Sequence, residues 1–84
     1  MNSKQRKTLA AVFGTPAPAS LAWSDVEALL LAVGCEVVEG SGSRVSFHRD
    51  GLVASFHRPH PQKGAKRYQI RDAREYLSKL GVKP

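Results

Sequence analysis

The chain has 84 residues, a formal net charge of +6 and one cysteine. That length allows one small domain, burying about 60% of its unfolded surface, with its functional site expected on the outside, and a lone Cys35 excludes a disulfide framework and fits a reduced, cytosolic setting. The charge is uneven: residues 1–43 carry three Lys/Arg and four Asp/Glu, whereas residues 44–84 carry ten and three, a basic half suited to nucleic acid or to an acidic protein partner.

At the N-terminus, KQRK, TLAAVF and APAS imitate the three parts of a secretory signal. The apolar run is too short and is broken by Gly14, Pro16 and Pro18, so export is not expected. No stretch approaches the ~20 apolar residues of a membrane helix. Ser3 to Phe13 instead reads as a short helix with Ser3 as cap and Leu9, Val12 and Phe13 on one side. GTPAPAS ends it, and the helix is expected to pack on the domain because alone it would be marginal in water. Residues 1–20 are thus taken as a helix and proline-containing linker, and residues 21–84 as the main domain.

Ser24 and Glu27 have the spacing of a capping box, starting a helix whose stripe is Val26, Leu29, Leu30 and Val33 and whose end is Gly34. Trp23 before it reads as an apolar anchor, and Cys35 as a small buried hydrophobe. Cys35 to Glu39 supplies a first strand, followed by the turn GSGS. Asp50-Gly51 between alternating runs is a two-residue hairpin signal. Counting outward from it pairs Arg49 with Leu52 and, further out, Arg44 with His57. One face then carries Val45, Phe47, Leu52, Ala54 and Phe56, and the other Arg44, Ser46, His48, Val53, Ser55 and His57. Pro59 and Pro61 make the following segment a shaped loop. A last helix runs from about Gln69 to Leu80, with Ile70, Ala73, Leu77 and Leu80 inward and Gly81 and Val82 closing it. The expected fold is α+β: a two-layer sandwich of a three-stranded antiparallel sheet with helices on one face, the αβββα arrangement of double-stranded-RNA-binding domains, plus the N-terminal helix.

Arg44, His57, Arg58, His60 and Lys63 are the candidates for chemistry. Cleaving RNA without a metal needs a base for the 2′-hydroxyl, an acid for the leaving 5′-oxygen, and cations for the charge growing on phosphate. Histidine exchanges protons near neutral pH, and His57 and His60 stand at a strand end and between two prolines. His48, beside the hairpin turn, reads as exposed surface. The spacing of His48, His57 and His60 matches no metal pattern, and neither metal nor cofactor is expected. Lys63, Lys66, Arg67, Arg71 and Arg74 form a second feature, since Arg67, Arg71 and Arg74 would share a helix face if the last helix begins early; such a ridge tracks phosphates or is simply solvated.

GSRV, the hairpin, HPQK and a last helix ending in LGV resemble the HicA family of toxin-antitoxin mRNA interferases, from about Trp23 to Val82. RKTLAAVF, the proline-containing linker and FHRPHP resemble a branch with an N-terminal extension. The resemblance implies a double-stranded-RNA-binding-like fold, translation-independent mRNA cleavage and inhibition by a HicB-type antitoxin covering the active face. It also shows one departure. Typical members carry a catalytic histidine after Gly-Ser, where this chain has Arg44, which cannot shuttle protons at neutral pH. His57, directly opposite Arg44, is the expected acid/base group, with Arg44 and Arg58 stabilising phosphate and His60 second in line. Two rival readings are a relative that binds RNA or a partner without cutting, and a structural subunit that docks acid-rich protein on its basic face.

Overall fold

Asp50 and Gly51 have φ angles of +54° and +78° in the computed structural model, which describes residues 1–16, 18, 21–60 and 64–84. Positive φ at both centres is what a two-residue hairpin turn of the expected type needs, and it sets the register of everything that follows. Strands β2 (Arg44–Arg49) and β3 (Leu52–His57) pair antiparallel, with Arg49 opposite Leu52, Phe47 opposite Ala54 and Arg44 opposite His57. Strand β1 (Glu36–Glu39) adds to the other side of β2, giving the order β1-β2-β3. Cys35 lies just before β1, with its N–H on the Leu30 carbonyl.

Helices α1 (Ser3–Val12), α2 (Trp23–Ala32) and α3 (Arg67–Lys79) contribute to a single core with the apolar sheet face. Val45, Phe47 and Phe56 are buried there, together with Val26, Leu29, Leu30, Ile70, Ala73 and Leu77. Trp23 is the anchor that its apolar context suggests: its ring lies 5.2 Å from Phe56 and 6.5 Å from Phe47. Leu52, on the same face near the hairpin tip, stays exposed. The fold is the α+β sandwich expected.

Three local expectations are corrected. The cap of α1 is Asn2, not Ser3: its Oδ1 accepts from the Gln5 N–H at 2.8 Å while Gln5 Oε1 accepts from the Asn2 N–H at 2.9 Å. Ser24 and Glu27 form no capping box, because α2 already starts at Trp23 and the Glu27 carboxylate is taken by Trp23 Nε1 and Arg58. Helix α3 begins at Arg67, two residues before the expected start, because Gln69 Oε1 accepts the Lys66 N–H at 3.0 Å.

Tyr76 is a core member that apolar spacing alone does not reveal. Its hydroxyl is shared between the Leu52 and Phe47 carbonyls at 2.9 and 3.2 Å, and Cys35 Sγ donates to it at 3.8 Å. Burial pushes the Tyr76 phenol up to about 12 and raises the Cys35 thiol as well, so both stay protonated and inert at neutral pH.

Helix α1 packs onto the domain, burying Leu9 and Val12. Arg74 of α3 fastens its end, donating from Nε to the Val12 carbonyl at 2.9 Å and from Nη2 to the Gly14 carbonyl at 3.0 Å. Bonds of this kind to a charged donor contribute about 1.5–3 kcal/mol, so Arg74→Ala is expected to lower unfolding stability by roughly that much in a urea titration. A loss below about 0.5 kcal/mol would mean that α1 is held by its apolar contacts alone.

Candidate active site

The β2–β3 ladder determines how closely Arg44 and His57 approach. The Arg58 N–H donates to the Ser43 carbonyl at 2.8 Å. Antiparallel pairs alternate between hydrogen-bonded and non-hydrogen-bonded, so the next pair inward, Arg44 with His57, belongs to the second kind, where opposed side chains are closest and Cα atoms approach to about 4.5 Å. On its other side Arg44 is held by the turn: its carbonyl accepts from the Gly40 N–H at 2.9 Å and its own N–H donates to Ser41 at 3.2 Å. A Cβ on Gly40 would sit 3.0 Å from the Arg44 Cβ, so a larger residue there would crowd Arg44 and press it to shift.

An open groove of about 390 Å³ results, lined by Val38, Glu39, Arg44, Ser46, Ser55 and His57. Arg44 and His57 are both exposed. His57 Nδ1 lies 3.5 Å from Ser43 Oγ, and Nε2, its other ring nitrogen, makes no hydrogen bond among the described residues. The Arg44 guanidinium makes no hydrogen bond or ion pair among the described residues.

Arg58 is placed differently from the phosphate contact expected of it. Its Nε and Nη2 donate to Glu27 at 3.0 and 3.1 Å, and its Nη1 and Nη2 to Glu39 at 2.5 and 2.9 Å. The hydrogen bonds it donates to Glu39 and Glu27 push the guanidinium further up, and the same bonds from Arg58 hold the Glu39 carboxyl below its ordinary value of 4.5. A lowered carboxylate stabilises the fold above that ordinary value and ceases to as the pH falls through the lowered one. This clamp joins α2, β1 and the segment after β3. Spacing does not reveal it, since Glu27 and Glu39 are remote from Arg58 in sequence and each has an ordinary local explanation.

His60 is exposed on the loop beyond Arg58, and Lys63 lies outside the described residues. His48 shares the open sheet face, with Nε2 2.9 Å from Ser46 Oγ and Val53 opposite. Gly64 and Ala65 pair with the residues just before α2: Ala65 donates to the Leu21 carbonyl at 2.7 Å, and a Cβ on Gly64 would meet that oxygen at 3.0 Å. Lys66, Arg67 and Arg71 are exposed at the start of α3, whereas Arg74 is turned to α1. Among the described residues no group of three His, Cys, Asp or Glu side chains is arranged to hold a metal ion.

The family model of the HicA toxin of bacterial toxin-antitoxin systems matches residues 23–82. The chain belongs to the HicA toxin family. No curated protein and no solved structure matches it. The matched residues span α2, the sheet and α3, so the open groove falls within the HicA match and α1 precedes it. As a HicA toxin the chain is of a kind that works with an antitoxin. No helix among the described residues is long and apolar enough to cross a membrane.

Proposed function

We propose that this HicA toxin is an mRNA endoribonuclease that needs no metal, acts in the cytoplasm and is neutralised by a HicB-type antitoxin. The observation that carries the reading is the pairing of His57 with Arg44 in an exposed groove at the closest kind of cross-strand site. His57 Nε2 takes the proton of an RNA 2′-hydroxyl, whose oxygen attacks the adjacent phosphorus. The bond from phosphorus to the 5′-oxygen breaks, and that oxygen receives a proton from a protonated imidazole, with His60 next in line for this step. The products are a 2′,3′-cyclic phosphate and a 5′-hydroxyl. Arg44, without a carboxylate partner, meets the charge developing on the phosphate. Arg58, with its charge matched by Glu27 and Glu39, serves by holding the loop. Lys63, Lys66, Arg67 and Arg71 track the RNA backbone, and the antitoxin covers the open sheet face and the loop from His57 to His60, with carboxylates on Arg44.

Arg44 at the position of the family's usual histidine favours a second reading, in which the protein binds RNA or its partner and does not cut. Expression in a bacterial cell separates the two: growth arrest with shortened mRNA, abolished by His57→Ala and by co-expressed antitoxin, supports cleavage, whereas arrest with intact mRNA supports binding. For the basic ridge, Arg67→Ala and Arg71→Ala are each expected to reduce the slope of log affinity against log salt by about one for RNA of any sequence. An unchanged slope makes Arg67 and Arg71 ordinary solvated side chains.

A further inference from the structure

His57 is the last residue of an edge strand, and its backbone has an unusual support. In a non-hydrogen-bonded pair both backbone polar groups point away from the partner strand. The His57 carbonyl therefore turns outward from β2, on the side where β3 has no neighbouring strand. Gln69 fills that role: its Nε2 donates to the His57 carbonyl at 2.7 Å. Its Oε1 accepts the Lys66 N–H at 3.0 Å, so one side chain joins the start of α3 to the end of β3. The N–H of the same peptide unit, that of Arg58, is held by the Ser43 carbonyl at 2.8 Å. The peptide group linking His57 to Arg58 is thus pinned at both polar atoms by two different elements.

Gln69 is 1% exposed. Burying an amide is costly unless both its ends are bonded, and an apolar side chain of similar size would fill the same space without that demand. Thr8, also buried, satisfies itself within its own helix by donating to the Lys4 carbonyl, whereas Gln69 bridges two elements at the candidate site.

We propose that Gln69 is a positioning residue for His57: it holds the His57 backbone so that the imidazole stays opposite Arg44 and beside Ser43. The inference rests on the reading of His57 as the proton-transfer group, and it concerns a residue that does not touch RNA. Gln69→Glu is the discriminating variant at a pH where its carboxyl is ionised, because a carboxylate still accepts the Lys66 N–H and suits a helix N-terminus, but cannot donate to the His57 carbonyl. Gln69→Met, of similar volume, removes both bonds at any pH and serves if the buried carboxyl stays protonated or prevents folding.

The full chain is assayed for RNA cleavage in EDTA, for urea stability, and by nitrogen-15 NMR of its imidazoles. Gln69→Glu is expected to lower kcat by about tenfold or more, the scale of a small misplacement of a reacting group, with KM within about twofold because RNA contacts are retained. The His57 ring signals should move while those of His48 stay in place. Val12→Ala, which loosens the packing of α1, should leave kcat and the His57 signals alone, so that lost stability by itself is told apart from lost positioning. Wild-type kcat together with unmoved His57 signals in folded Gln69→Glu and Gln69→Met overturns the proposal. Cleavage lost in His57→Ala but unaffected in both Gln69 variants overturns it while leaving the nuclease reading intact. A wild type that does not cut RNA, with His57 signals that still move in Gln69→Glu, removes the nuclease reading and upholds the positioning of His57.

Discussion

His57→Ala is expected to lower RNA cleavage by about 10²- to 10⁴-fold, the usual contribution of a positioned acid/base group. The fold should tolerate it. The imidazole is exposed, and the two bonds that secure this position, from Gln69 to the His57 carbonyl and from Arg58 to Ser43, are made by backbone atoms of β3 and its continuation that alanine retains. Antitoxin affinity is expected to stay within about tenfold, or ~1.4 kcal/mol, because the cationic anchor proposed for the antitoxin is Arg44 and not His57. Arg44→Ala should lower both cleavage and antitoxin affinity, since the same guanidinium is proposed to meet phosphate in one state and carboxylate in the other. Cleavage by electrophoresis and antitoxin binding by calorimetry measure the two effects separately. Wild-type cutting by His57→Ala would transfer the acid/base role to His60.

Phe47→Ala should carry the largest cost in stability. Phe47 lies on the central strand with no exposed surface, and its ring is 5.9 Å from that of Phe56 and 6.5 Å from that of Trp23. Truncating a buried phenylalanine costs about 3–5 kcal/mol, the lost transfer energy plus the cavity left behind. Small domains have only about 5–15 kcal/mol in all, and one of this length is expected near the lower end. Most of the cooperative urea transition should therefore be lost, together with the near-ultraviolet circular dichroism of Trp23. A loss below about 1 kcal/mol would show that α2 and the sheet close over the gap.

The hairpin was legible in full because Asp50-Gly51 is a local signal: it specifies a turn, the turn specifies a register, and alternation does the rest down to Arg44 opposite His57. The same reasoning assigned Phe47 and Phe56 to the core, whereas Trp23 was legible from its place at the start of α2. Capping was less legible, because Asn2 and Ser3 are both good caps and only the geometry chooses between them. Glu27 stands at capping-box spacing from Ser24, but Trp23 Nε1 and the Arg58 guanidinium compete for its carboxylate and win. Two basic residues expected to meet RNA, Arg58 and Arg74, have their donors on carboxylates and on carbonyls of α1 and its end. Long-range partners of this kind leave no periodic trace. Gln69 was overlooked for the same reason, its bond to His57 being a property of the chain's path and not of its pattern.

The most direct measurement is digestion of a defined RNA by the purified chain in EDTA, followed by identification of the ends of the products. Cleavage through the Arg44–His57 pair predicts 2′,3′-cyclic phosphate and 5′-hydroxyl ends in EDTA, formed by the wild type and not by His57→Ala. Cutting that requires a divalent cation and leaves 5′-phosphate ends, or RNA that is bound and recovered intact, would contradict it.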